Sequence, residues 1–447
     1  MGKVRPFKSV ARPTSFIALV VMIICLLSAC NKEDDVVIDT FNTNSGTRNL
    51  IVVISDLHLG ADISYAEIKV NLEPLKEFLK QIRVSGSVKE LVIAGDMLDE
   101  WFVPATINTY NGKDQSDFVD RIAATNKEVI GELNQIIKDG KILVTYVPGN
   151  HDLTITKENV DRIMPGINQC RDTDVLGLGT YSPSGYPEIA IEHGHRYNCL
   201  CAPDPFSNQD IAPGTIIPPG YFFTRIAVQH VTQACSTSTN VIPIITPNAS
   251  GDVSQVLLYG YWSSWAGWLN MFPIENKFDE KLIVTNIDGF TDTFSVNDML
   301  PFQETPGGLI QVKLFNGIQD KWAERCVVNN VSVPIPTSFA FKYAASATGT
   351  DTMSVIQYFM NPNSDKKIVV FGHSHQSKIS AYKNFNNQKT IYANTGTWID
   401  HNLNSKTTMN FIVITPQSNN DDSQTSVRLY NFENKIVTEM ARDSVRL

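Results

Sequence analysis

Six of the eight histidines in this 447-residue chain fall inside five short motifs that also carry aspartate and asparagine. The motifs are Ser55-Asp56-Leu57-His58, Gly95-Asp96-Met97-Leu98-Asp99, Gly149-Asn150-His151-Asp152, Glu192-His193-Gly194-His195 and Gly372-His373-Ser374-His375. Carboxylate and amide oxygens and imidazole nitrogens are the ligands that divalent metals accept when no thiolate is offered. The set is large enough for two ions, so the sequence predicts a hydrolytic site with two metals.

Each motif directly follows a short apolar stretch. The stretches are residues 50–54, 91–94, 142–147, 189–191 and 368–371. Unbroken apolar runs of this length predict strands that are buried on both faces of a sheet. Because ligands bind at the carboxyl ends of the strands in open α/β sheets, we expect all five motifs to converge there. Helices are predicted at 66–83 and 116–138, and further strands at 389–394, 409–415 and 426–430.

In this order, the motifs resemble the pattern D-x-H, G-D-x-x-D, G-N-H-D/E, H-G and G-H-x-H of the calcineurin-like metallophosphoesterase superfamily. The resemblance covers residues 49–201 and 363–447, which it identifies as the catalytic domain. It implies an α/β fold, a four-layer α/β/β/α sandwich, and a hydrolase that acts on phosphate esters.

The resemblance also implies seven metal ligands, which are divided between two divalent ions. One ion takes Asp56, His58 and His375, the other takes Asn150, His193 and His373, and Asp96 bridges the pair. A bridging carboxylate makes physical sense because it offsets the repulsion between two neighbouring dications. Manganese is the expected metal, and iron and zinc are the alternatives.

Two further residues receive roles from the resemblance. His151 is expected to stabilise the transition state and to protonate the leaving oxygen. Asp99 is expected to orient His151, and Asp152 is the alternative partner. The implied reaction is in-line attack on phosphorus by a metal-bridging hydroxide.

The sequences of residues 56–59, 95–102 and 392–398 are similar to the corresponding motifs of the UDP-2,3-diacylglucosamine pyrophosphatase branch. That branch has Asp where this chain has His195, and its members are cytoplasmic. We therefore expect hydrolysis of a phosphomonoester, a phosphodiester or a pyrophosphate on a small molecule, glycan or lipid headgroup. His195, Arg196 and Asp204 are candidate substrate contacts. The alternative for His195 is that it supports the metal ligands without contacting substrate.

The first 29 residues resemble the signal peptide of a bacterial lipoprotein. Four basic side chains precede an apolar run at 15–27, which ends at Leu27-Ser28-Ala29-Cys30. This pattern predicts cleavage before Cys30 and lipidation of its thiol, and an uncleaved anchor is the alternative. Residues 30–48 form an acidic, polar stretch that predicts a flexible tether. The expected location is the outer membrane, and the acidic run favours the cell surface.

The composition argues against one class of partner and limits the number of disulfides. Residues 1–29 hold four of the 37 basic side chains and none of the 46 acidic ones, so the remainder carries a net charge of −13. An acidic chain without a basic cluster argues against nucleic-acid binding. Five cysteines follow Cys30, which permits at most two disulfides in an exported protein. The sequence leaves the oligomeric state open.

Residues 202–362 carry none of the motifs and predict an insertion over or beside the site. Trp262, Trp265 and Trp268 have a spacing that favours one helical face, which packs the core of the insertion or contacts substrate. His230 and His401 lack a motif and are predicted to be ordinary surface or packing residues. The competing function is a surface binding protein that uses an inactive phosphoesterase scaffold.

Overall fold

The computed structural model describes residues 40–41, 47–173, 177–235, 240–248, 250–344, 346–403, 405, 407–417 and 423–447. The predicted signal peptide, Cys30 and most of the predicted tether lie outside the described residues. Phe41 falls within the predicted tether, yet it is buried between the rings of Phe78 and Phe411. The folded core therefore extends at least to Phe41. A search of the described residues finds no helix with the length and apolar character needed to cross a membrane.

Strands and helices alternate over the first half of the described chain. The strands are β1 (Leu50–Ile54), β2 (Val88–Ala94), β3 (Leu143–Val147), β4 (Asn168–Gln169), β5 (Ile189–Ile191), β6 (Ile283–Val284), β7 (Thr293–Phe294), β8 (Ile368–Phe371), β9 (Lys378–Lys383), β10 (Lys389–Asn394), β11 (Asn410–Thr415), β12 (Thr425–Glu433) and β13 (Ile436–Val445). The helices are α1 (Leu72–Val84), α2 (Gln115–Thr125), α3 (Lys127–Asp139), α4 (Lys157–Ile163), α5 (Pro219–Gln233), α6 (Val253–Met271), α7 (Val296–Met299), α8 (Trp322–Val328), α9 (Thr337–Tyr343) and α10 (Ala347–Ser354). A 3₁₀ turn lies at His195–Tyr197 and a π-helical turn at Val355–Phe359.

Two sheets face each other at the centre of the fold. The larger has the order β13-β12-β11-β1-β2-β3-β4, in which β1 to β4 run parallel and β11 to β13 are antiparallel. The smaller has the order β5-β8-β10-β9, with β9 antiparallel. Side chains from both sheets, such as Val53 and Val370, share one buried cluster. The opposite faces pack against helices, as Val52 does with Phe78, so the predicted α/β sandwich is confirmed.

Two predicted helix boundaries differ from the structure, each for a local reason. The first helix begins at Leu72 rather than at residue 66, because the backbone N–H groups of Lys69 and Asn71 donate to the carboxylate of Asp400. The second predicted helix is two helices, α2 and α3. They meet at Asn126, whose side-chain amide donates to the carbonyl of Gly60 at 2.9 Å.

Two buried arginines attach residues 202–362 to the rest of the fold. Arg225 of α5 donates to the backbone carbonyls of Val103 at 2.7 Å and Pro104 at 2.9 Å. Arg325 of α8 donates to the carbonyl of Cys199 at 2.9 Å. Backbone carbonyls in loops need donors when they are buried, and the guanidinium groups supply them.

The tryptophans predicted on one helical face all lie on α6. Trp265 is fully buried and stacks on Phe223 with the ring centroids 3.8 Å apart, as the packing interpretation predicts. Trp262 and Trp268 are half-buried. Among the described residues, no disulfide joins any of the five cysteines that follow Cys30, which are Cys170, Cys199, Cys201, Cys235 and Cys326.

Candidate metal centre

The five motifs meet at the carboxyl ends of β1, β2, β3, β5 and β8, and three of the predicted ligands form one cluster there. His375 Nε2 lies 3.0 Å from Asp56 Oδ1. His58 Nε2 lies 3.3 Å from His375 Nε2 and 4.0 Å from the same Asp56 oxygen. Donor atoms that share an ion at about 2.1 Å are separated by such distances, so this trio fits one metal.

The second predicted group also comes together. Asn150 Oδ1 lies 3.1 Å from His193 Nε2 and 2.8 Å from His373 Nδ1. Asp96 Oδ2 lies 3.1 Å from His193 Nε2 and 3.7 Å from His58 Nε2. One oxygen of Asp96 therefore faces both groups, which is the position that a bridging carboxylate needs.

Most of these donors have a strained backbone. Five of the seven predicted ligands are non-glycine residues in the left-handed region, and they are Asp56 (φ 54°), His58 (φ 48°), Asp96 (φ 49°), His373 (φ 65°) and His375 (φ 56°). This conformation costs about 1–3 kcal/mol at each position and concentrates at functional sites. The strain turns consecutive side chains toward one point, and an ordinary structural cluster has no need of it.

Close approach of the motifs requires glycine beside the ligands. A Cβ atom added to Gly149 would lie 2.2 Å from Asp96 Oδ1, and one added to Gly372 would lie 2.5 Å from Asp56 Oδ2. Any side chain at either position would displace a predicted ligand. The donor types, their spacing and this absence of room together fit two divalent ions.

Hydrogen bonds behind the ligands fix the orientation of the imidazoles. His193 Nδ1 donates to the carbonyl of Ala94 at 2.9 Å, and His58 Nδ1 donates to Asp99 Oδ2 at 2.8 Å. Each bond places the ring proton on Nδ1 and leaves Nε2 toward the site, as metal-binding histidines require. Burial lowers the pKa of His193, but the carboxylates of Asp96 and Asp56 outweigh it and raise that pKa to about 9.

Asp99 also holds His151, the predicted proton donor. Its other oxygen, Oδ1, lies 2.9 Å from His151 Nδ1, and the ring of Trp101 packs 4.9 Å from the imidazole. Burial raises the pKa of Asp99, but His151 and His58 lower it well below its ordinary value, so the group is a carboxylate. The alternative partner, Asp152, accepts from the backbone N–H groups of Gly149 and Met97 instead.

The three candidate substrate contacts lie deeper in the protein. His195 Nε2 lies 3.0 Å from the carbonyl of Gly177. Arg196 Nε pairs with Glu192 at 2.8 Å, and Asp204 lies 3.5 Å from Arg325. His195, Arg196 and Asp204 are all buried. Substrate contact by these three stays a prediction.

A cavity of about 660 Å³ opens beside the ligands. Its lining includes His58, His375 and His151, and also Trp268, for which substrate contact was one of two alternatives. No site role was predicted for the other lining residues, among them Glu67, Lys69, Phe102, His230, Val231, Phe272, Asp400, His401 and Leu403. Glu67 Oε2 lies 3.2 Å from His58 Nδ1. No motif surrounds Glu67, and only the fold of the irregular segment before α1 brings it to the site.

Residues 50–213 match the sequence profile of the calcineurin-like phosphoesterase family. Over these residues the chain is similar to a calcineurin-like phosphoesterase domain. Four of the five motifs lie within the match, and His373 and His375 reach the phosphoesterase site from β8. A comparison with curated protein sequences gave no significant match. A solved structure of a Vps29 double mutant from Entamoeba histolytica is similar at 9% identity and a TM-score of 0.25, covering 89% of this chain and 99% of that one.

Metal binding by the phosphoesterase domain is expected to release protons. His193 has a pKa of about 9 in the metal-free protein, so it is protonated at pH 7.5 and must become neutral to bind an ion. Affinity should therefore rise with pH and level off above that pKa. Calorimetric titration of Mn²⁺ into metal-stripped protein, in buffers with different ionisation enthalpies, measures the number of protons. A pH-independent affinity without proton release would contradict this assignment of His193.

Proposed function

We propose that the phosphoesterase domain hydrolyses a phosphate ester with the help of two divalent ions, manganese being the first choice and iron or zinc the alternatives. The observation that carries the proposal is the left-handed backbone at five clustered donors. A scaffold kept only for binding other molecules would have no reason to retain strain at Asp56, Asp96 and the histidines.

The ligand set supports a site for an anionic substrate. Only Asp56 and Asp96 among the seven predicted ligands carry negative charge, since Asn150 and the four neutral histidines carry none. Two dications would keep a net positive charge there, which attracts a phosphate group. When bound, the ions would stabilise the phosphoryl oxygens and lower the pKa of the attacking water.

His151 supplies the proton for the leaving oxygen. Burial lowers the pKa of His151, but Asp99 and Asp96 raise it above its ordinary value, which keeps the imidazolium populated near neutral pH. Because Asp99 engages Nδ1, the other nitrogen, Nε2, is the one that gives up its proton. His151 lines the cavity, so a leaving group bound there lies within its reach.

The protein that carries this domain is proposed to be a bacterial lipoprotein. The support is the sequence before Cys30, which would be lipidated and would attach the chain to the outer membrane. The tether and the acidic run after Cys30 favour exposure at the cell surface. Membrane association would then come from the lipid alone.

The test is hydrolysis of para-nitrophenyl phosphate and bis(para-nitrophenyl) phosphate by the chain from residue 31 onward. The protein is stripped of metal and reloaded separately with manganese, iron and zinc. We expect hydrolysis only after reloading, and the preferred ester distinguishes a monoesterase from a diesterase. Failure to bind any metal would overturn the proposal and favour the inactive binding scaffold.

A further inference from the structure

Five large apolar side chains line the cavity beside the metal ligands, and together they are called the apolar wall: Phe102, Val231, Trp268, Phe272 and Leu403. We infer that this wall binds the leaving group of the phosphate ester, and that the leaving group carries an apolar chain or ring. The inference rests on the proposed phosphoesterase function and deepens it. The substrate of the enzyme is then an amphiphilic phosphate ester rather than a phosphorylated sugar.

Two hydrogen-bond donors that line the cavity, one of them on the apolar wall, are already used inside the protein. Trp268 Nε1 donates to the carbonyl of Phe223 at 2.8 Å. His230 Nδ1 donates to the carbonyl of Pro273 at 2.6 Å. The hydroxyl groups of a sugar bound here would lose hydrogen bonds to water and could not replace them with bonds from these two donors. Unsatisfied hydroxyl groups are costly in a desolvated site. An alkyl chain or an aromatic ring has no such requirement.

The aromatic side chains of the wall are held in place by their neighbours. The rings of Trp268 and Phe272 are 4.6 Å apart, and Phe223 packs edge-on against Trp268 from behind at 5.5 Å. Ordered side chains lose little conformational entropy when a ligand binds. The surface is therefore preorganised for an apolar group.

Part of the wall remains open to solvent. Val231 is 54% exposed and Leu403 is 78% exposed, although both line the cavity. Single exposed apolar residues are common, but these two line the same cavity as His58, His151 and His375. Covering them with an apolar leaving group would remove this surface from water and favour binding.

The position of His151 connects the wall to the chemistry. His151 lines the same cavity as His58 and His375, so the leaving oxygen that it protonates lies at the metal end. The group attached to that oxygen then extends along the cavity. A volume of about 660 Å³ is in the range that holds a drug-sized ligand.

The test compares methyl, butyl, octyl and naphthyl phosphates as substrates of the manganese-loaded full chain. We expect kcat/KM to rise roughly threefold for each methylene from methyl to octyl. Val231→Glu places a charge on the wall and should abolish most of this rise. Val256→Glu is the matched control, because Val256 is 61% exposed on α6 and does not line the cavity.

The outcomes separate this inference from the proposed function. Equal kcat/KM for all four esters, or equal losses in the two valine variants, would overturn the apolar site while hydrolysis itself stands. If no ester is hydrolysed, the proposed function fails, and calorimetry with methylphosphonate and octylphosphonate decides the inference. Tighter binding of octylphosphonate by tenfold or more, lost in Val231→Glu, supports it, and equal affinities overturn it. A preference between octyl and naphthyl identifies the leaving group as aliphatic or aromatic.

Discussion

Asp96→Asn is expected to lower kcat/KM for phosphate-ester hydrolysis by roughly a thousandfold. The substitution keeps the shape of the side chain but removes one of the two negative charges among the predicted ligands. Asp96 Oδ2 faces both His193 and His58, so its loss affects both ion positions. The backbone N–H of His151 donates to Asp96 Oδ1 at 2.8 Å, and an asparagine oxygen preserves that bond. Kinetics with manganese and metal content by mass spectrometry measure the effect.

The matched control for this substitution is Asp120→Asn. Asp120 lies on α2, is exposed and pairs with Arg162 at the surface. Surface ion pairs contribute little to stability, so the control should retain activity within about twofold. Thermal unfolding of both variants reports whether either has lost its fold. A folded Asp96→Asn protein with full metal content and normal activity would contradict the bridging assignment.

His151→Asn is expected to have an effect that depends on the leaving group. For an alkyl phosphate, whose alkoxide leaves poorly, kcat should fall by roughly a thousandfold because the proton donor is absent. For para-nitrophenyl phosphate the loss should be about tenfold, because a nitrophenolate departs without a proton. Steady-state kinetics with the two esters give the ratio of these losses.

The pH profile provides an independent reading of the same assignment. Proton donation requires the imidazolium, so alkyl phosphate hydrolysis should decline as pH rises through the elevated pKa of His151. That decline should be absent in His151→Asn. His401→Asn, at another histidine of the cavity, is the control and should change both esters by the same factor. Equal losses for the two esters in His151→Asn would remove the proton-donor role.

The strands and their motifs were predictable because both signals are local in sequence. An unbroken apolar run such as 50–54 specifies a buried strand, and the strand end carries Asp56 to the sheet edge. The shared edge then follows from the topology of parallel strands. In this way each of the seven predicted ligands comes within 3.3 Å of at least one other.

Other features depend on distant residues and left no local pattern. The carboxylate of Asp400 sets the start of α1 from more than 300 residues away. Strand β13 is mostly exposed and lacks an apolar run, although Asn434 and Lys435 form the turn before it with positive φ angles of 53° and 65°. A hairpin predicted at Asn434 and Lys435 would have implied a strand after the turn.

The cavity wall was the least accessible to sequence reasoning. The apolar wall combines Val231 of α5 and Trp268 of α6 with Phe102 and Leu403, which lie outside residues 202–362, so no repeated spacing marks it in the sequence. His230 was predicted to be an ordinary surface or packing residue, and the structure places it in the lining of the same cavity. Tertiary packing, rather than any motif, decides which side chains of residues 202–362 line the cavity.

Arg225 and Arg325 hold residues 202–362 against the rest of the fold. Swinging the insertion open as a hinged lid would break their buried bonds to Val103 and Cys199 together, and each bond to a charged donor contributes about 1.5–3 kcal/mol. Opening residues 202–362 by a hinge therefore carries a free-energy cost, and a substrate that enters without that movement avoids it.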